Sequence, residues 1–132
     1  MTHSEKISVD EIVEIERIVN EEIQKHIALD VSIKDFDVAR SEGAEALFGE
    51  KYGDKVRMIT ISEFSKELCG GTHVERTGDI GLFKIIEESS LAAGIRRLVA
   101  VAGPKAVSYV QNHANIVQEL QAILGTKADD IS

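Results

Sequence analysis

Cysteine occurs once in this chain, so no internal disulfide can staple the fold, and Cys69 has to be read for its chemistry instead. Long apolar runs are missing as well. Every hydrophobic stretch is broken by charge or glycine well short of the roughly 20 residues that cross a bilayer, which excludes a membrane span. No stretch combines a charged start, an apolar middle and a small-residue end, so no secretory signal is read, and a soluble, cytoplasmic protein is the expectation. Positive charge is short too. Against 23 Asp and Glu stand 15 Lys and Arg, and a net charge of -8 excludes a protein that coats nucleic acid by bulk electrostatics. Repeats and low-complexity segments are absent. What remains is 132 residues with 43% hydrophobic content, enough for one modest core that needs neither disulfide nor metal merely to fold.

The charge is unevenly spread. Acidic residues crowd the first 30 positions, whereas Lys84, Arg96, Arg97 and Lys105 come late. Two readings stand open: a basic face that meets an RNA on an otherwise acidic body, or ordinary solvated charges.

Ser8 and Glu11 have the S-x-x-E spacing of a capping box, with Ile7 and Ile12 placed as a hydrophobic staple. From there Ile12, Ile15, Val19, Ile23 and Ile27 recur at three and four, which predicts an amphipathic helix over 9–27. His26 falls near its C-terminal end, where an imidazolium complements the helix dipole. Leu29, Val31 and Ile33 alternate with polar residues as in a half-buried strand, and the Ala-rich stretch from Val38 to Phe48 reads as a second helix. Val56–Ile61, Leu82–Ile86 and Ile95–Ala102 read as three further strands, giving with the first a small, mostly antiparallel sheet. Gly103 and the only proline, Pro104, open a long final helix whose stripe is Val107, Val110, Ala114, Val117, Leu120 and Leu124, with Gly125 as its cap. That helix either packs on its own domain or begins a coiled coil. Thr126 and Asp129 read as the opening of another helix.

Between the strands lies Cys69-Gly70-Gly71-Thr72-His73. A thiolate and an imidazole four positions apart make half of a zinc site, since a catalytic zinc takes three protein ligands and keeps one position open. The plain alternative is a buried cysteine near an unrelated histidine. His3, His26 and His113 lack a partner at matching spacing and are not read as ligands.

The run CGGTHVERTGDIGLFKIIEESSLAAGIRRLVAVAG, from Cys69 to Gly103, resembles the second half of the editing domain of the alanyl-tRNA synthetases. The stretch Gly43–Ile59 and the first helix resemble the same family, so the likeness covers essentially the whole chain. It implies an α+β fold in which helices cover a curved antiparallel sheet, with residues 1–103 as part of the editing domain and 104–132 as the start of a helical, self-associating segment. In that family zinc is held by an H-x-x-x-H pair and a C-x-x-x-H pair. Cys69 and His73 match the second pair, and the first is expected upstream of Met1, so the chain resembles part of a larger synthetase with an incomplete zinc site. ATP and magnesium belong to an aminoacylation domain that this sequence does not contain.

The resemblance also implies a task. A pocket built for alanine's methyl rejects serine, an isostere with one added hydroxyl, by only about a hundredfold, and glycine fits by being smaller. A second site that reads polar groups removes both errors by hydrolysing the ester at the acceptor end of tRNA(Ala). Zinc there lowers the pKa of its water or orients the substrate. Cys69 and His73 are the expected metal ligands, Gly70 and Gly71 let the backbone approach the substrate, and Thr72 supplies a catalytic hydrogen bond. Arg96 is the candidate for contact with the terminal adenosine or its phosphate, followed by Lys84 and Arg97. With half the metal site, the chain alone is expected to be inactive. The competing readings are a free-standing alanyl-editing deacylase and a non-catalytic module that binds RNA or a protein partner.

Overall fold

The computed structural model describes residues 5–46 and 51–125. It divides into two compact units, one of Met1–Asn20 with Gly81–Ser132 and one of Glu21–Ile80. Helix α1 (Val9–Gln24) begins as the capping box requires. The Ser8 amide and hydroxyl donate to Glu11 Oε2 at 2.7 and 2.8 Å, and the Glu11 amide donates to Ser8 Oγ at 3.2 Å. Ile7, at the staple position, is buried.

In the unit Glu21–Ile80, α1 stops at Gln24 rather than Ile27, because His26 turns into the left-handed region at φ 52°. The ring of His26 then lies against Gly78, where a methyl group would come within 2.1 Å of Nδ1, so any larger residue there would have to displace the exposed imidazole. The carbonyls released at the helix end are taken up by one residue far along the chain. Thr77, 2% exposed, shares its hydroxyl proton between the carbonyls of Glu22 and Ile23 at 2.8 and 3.2 Å and accepts the Ile27 amide at 2.9 Å. Its own amide donates to the Ile27 carbonyl at 2.9 Å. The Ile23 carbonyl also accepts the His26 amide at 3.1 Å, so it is the Glu22 carbonyl that relies on Thr77 for its donor at the helix end.

The sheet of this unit has the antiparallel order β1-β2-β3, from β1 (Asp30–Asp35), β2 (Lys55–Ile61) and β3 (Ser65–Leu68). Side chains alternate between its faces. Val56, Met58 and Leu68 point to one face and form the core with Ala39 and Ala44, while Phe36 and Tyr52 stack beside them at 5.6 Å. The second helix is shorter than expected: α2 covers Phe36–Ser41, and Gly43 at φ 86° ends it. Downstream, Glu45 donates to Lys66 and accepts from Leu68 at 2.8 and 2.9 Å, so the stretch predicted as helix serves as a border for β3. Sheet hydrogen bonding overrides the helix propensity of alanine here. The last predicted residues of that helix, 47 and 48, lie outside the described residues.

The other unit holds a hairpin of β4 (Phe83–Ala92) and β5 (Ile95–Ala102). One side of Asn20 clasps β4: its Nδ2 donates to the Phe83 carbonyl and its Oδ1 accepts the Phe83 amide, each at 2.9 Å. Glu16 accepts both the Lys84 ammonium at 2.8 Å and the Ile85 amide at 2.8 Å. Helix α3 (Pro104–Leu124) starts at Gly103-Pro104 and ends on Gly125 in the left-handed conformation, as read from the sequence. Its first turn is anchored through Ala106, which is fully buried, whereas residues 110–120 are exposed. The opening of a further helix at Thr126 lies outside the described residues. The fold is α+β, as expected, but the strands number five among the described residues and fall into two sheets. The strand that escaped the sequence reading is β3, Ser-Lys-Glu-Leu, whose polar composition hides it. No helix among the described residues is long and apolar enough to cross a membrane.

Two outcomes follow from these contacts. Thr77→Val keeps the shape and removes the hydroxyl, so it lowers unfolding stability by about 1–3 kcal/mol in urea titration at an unchanged m value; a loss below about 0.5 kcal/mol would show that the helix end does not rely on it. Across the hairpin, Glu88 (side chain 4% exposed) accepts a hydrogen bond from the Arg96 guanidinium, which holds its carboxyl below the usual glutamate value. A depressed folded-state pKa contributes stability above the unfolded value, and that contribution disappears as pH falls through the folded one. Glu88→Gln should therefore melt below the wild type at pH 7, with the gap closing as pH falls below about 4.3; a gap independent of pH would contradict the ion pair's role.

Candidate functional site

The Cys-His loop is built from its two ends. At one end β3 runs antiparallel to β2 with Met58 opposite Leu68, so Cys69 comes opposite Arg57, and the Cys69 amide donates to the Arg57 carbonyl at 3.1 Å. Alternation puts Cys69 and Arg57 on the face of the sheet away from the Leu68 core, with Ile33 of β1 opposite Arg57 on the other side. At the other end, Glu75 accepts the Leu29 amide at 2.9 Å, Arg76 bridges to Ala28, and Thr77 is fixed as described. The loop between is thus fastened at both ends to segments distant in sequence, β2 at Cys69 and residues 27–29 at Glu75–Thr77.

Within the loop, Cys69 is a free, half-buried thiol, and Thr72 and His73 are exposed. Neither glycine has a positive φ, so neither is demanded by the backbone conformation. Their use is room. A methyl on Gly71 would stand 3.5 Å from Cys69 Sγ, while around Gly70 the space is open, so the pair leaves the thiol's approach clear. A cavity of about 230 Å³ lies alongside, bordered by Lys51, Lys55, Arg57, Cys69 and Gly70.

As a donor set, a thiol and an imidazole suit zinc in kind, being its soft and borderline ligands. In number they fall short. Among the described residues, no group of three or more His, Cys, Asp or Glu stands where it could hold a metal ion.

The cationic candidates lie in the other unit, and two of them are already engaged. Lys84 is paired with Glu16 at 2.8 Å, and Arg96 with Glu88, whose carboxylate raises the guanidinium's pKa further. Arg97, next along β5, points to the opposite face and is exposed. An RNA phosphate at Lys84 or Arg96 would have to share the cation with its carboxylate, whereas Arg97 is open to solvent. One side chain near the loop was missed by the sequence reading. Arg57 reads there as one member of the strand Val-Arg-Met-Ile-Thr-Ile; the available signal was a lone cation on the period-two face of an otherwise apolar strand.

Comparison with known proteins bears on this loop. A family model described as the threonyl and alanyl tRNA synthetase second additional domain matches residues 56–99, which include Arg57, Cys69 and His73. Alanine-tRNA ligase of Pseudoalteromonas translucida is 50% identical over 131 residues, covering 99% of this chain and 15% of that protein. The ligase of Fervidobacterium nodosum is 48% identical over 130 residues, again 15% of its length, and that of a Polaromonas species is 49% identical over 140 residues. The chain thus spans about 15% of the length of the relatives it matches. Over nearly its whole length the chain is thus similar to a segment of these alanine-tRNA ligases, and residues 56–99 within it match the second additional domain model.

Proposed function

We propose that this chain is the part of an alanine-tRNA ligase that clears mischarged tRNA(Ala), hydrolysing the ester of serine or glycine at the acceptor end. The observation that carries this reading is the Cys69–His73 loop, fastened at both ends and kept open by two glycines, inside the stretch matched by the second additional domain. In the longer ligase, which joins alanine to tRNA(Ala) with ATP, Cys69 and His73 hold a zinc ion together with ligands from outside the described residues. When bound, that ion supplies an open position that orients the substrate or its attacking water. The chain's own groups do the rest. Thr72, exposed beside His73, donates to or accepts from the aminoacyl group, and the space at Gly70 and Gly71 admits the ester. Arg97 contacts the acceptor-end phosphates, and Arg96 and Lys84 contribute where a phosphate shares them with Glu88 and Glu16. The exposed stripe of α3, which includes Val110, Val117, Leu120 and Leu124, serves self-association of the ligase.

A self-contained deacylase is the weaker reading, because among the described residues no third donor joins Cys69 and His73 to fix a metal ion. The 132-residue chain alone is therefore expected to release no serine from Ser-tRNA(Ala) with zinc supplied, and zinc-dependent turnover by it would overturn the dependence on outside ligands. In the full ligase, Cys69→Ala should slow serine release at least about tenfold, the low end for removing a group that orients the reaction, and leave alanine-dependent pyrophosphate exchange unchanged. Equal loss of both activities would contradict a separate hydrolytic site.

A further inference from the structure

We propose that Arg57 is a positioning residue of the Cys69–His73 loop, its guanidinium gripping the loop's backbone and so setting the direction in which the thiol leaves it. The Arg57 Nη1 donates to the carbonyl of Gly71 and, at 3.4 Å, to that of Cys69, while the Arg57 carbonyl accepts the Cys69 amide at 3.1 Å. One residue of a central strand thus meets the loop with both main chain and side chain.

The need for this grip comes from what the loop lacks. The ladder between β2 and β3 ends at Cys69, and among the described residues 70–74 exchange no backbone-backbone hydrogen bond with the rest. Two consecutive glycines sit at the start of that stretch, and glycine has the most backbone freedom to lose on ordering. Left to the backbone, the position of Gly70–Thr72 would be an ensemble. A guanidinium, charged at all working pH and carrying several donors on a rigid plane, is suited to holding two carbonyls at once. Arg57 can reach them because the register places it directly across from Cys69, on the same face. The space at Gly70 is open, and the atom nearest to a methyl on Gly71 is the loop's own Cys69 Sγ at 3.5 Å, so no side chain from another element supports the loop at the two glycines.

The consequence for metal binding rests on the function proposed above; the grip itself does not. Backbone amide order parameters of the 132-residue chain test the grip without metal. In the wild type, Gly70–Thr72 should be near the rigid value of about 0.85, and in Arg57→Met they should fall below about 0.6 while β2 keeps its own. Loop values that are low in the wild type, or unchanged in the variant, would overturn the proposal. If Arg57→Met does not fold, Arg57→Lys decides: it keeps a cation on a shorter reach, so a drop confined to Gly70–Thr72 supports the grip and no drop refutes it. In the full ligase loaded with cobalt(II), Arg57→Met should weaken cobalt affinity about tenfold, the scale of losing an outer contact that orients a ligand, while the sulfur-to-cobalt absorption keeps its intensity at saturation. If Cys69→Ala leaves that absorption intact, the metal assignment fails while the order parameters still judge the grip.

Discussion

The candidate site depends on one constraint: a loop with almost no hydrogen bonds of its own is pinned at both ends to strands and turns distant in sequence. At Cys69 the pin is the last rung of the β2–β3 ladder, and at Glu75–Thr77 it is the segment following α1. Each pin is made of backbone hydrogen bonds between segments distant in sequence, so fold and site are stabilised by the same bonds.

Thr77 shows how far this economy goes. One hydroxyl closes the end of α1, and its amide joins the strand-like segment that ends the Cys-His loop. The cationic candidates follow a different logic. Lys84 and Arg96 are held by Glu16 and Glu88 in positions fixed by hydrogen bonds, whereas Arg97 is left to solvent. Paired cations are pre-oriented but partly neutralised, so a phosphate approaching them gains geometry more than raw attraction.

Much of this was legible in the residues. The capping box at Ser8 and Glu11, the helix start at Pro104, its Gly125 cap and the β-branched strand Val56–Ile61 each rest on local chemistry, and each is found where that chemistry puts it. What was not legible depends on distant partners. The strand Ser65–Leu68 exists because β2 and Glu45 pair with it, and the predicted helix after Ser41 gives way to that same pairing. The two strand-borne arginines, alternating on β5, allowed one to pair with Glu87 or Glu88, and Arg96 pairs with Glu88; the Lys84–Glu16 pair was hidden, because it forms between a strand and a helix far apart in sequence. At the site, the Cys-Gly-Gly-Thr-His run was visible at once, but the role of Arg57 needed the alignment of β2 with β3.

The central claim is that Cys69 and His73 serve as ligands to a zinc ion in the longer ligase. Zinc-edge X-ray absorption of that ligase tests it most directly. A single sulfur at about 2.3 Å among nitrogen neighbours at about 2.0–2.1 Å, with the sulfur lost in Cys69→Ala, is the predicted result. A zinc shell without sulfur, or one unchanged by Cys69→Ala, would contradict the account.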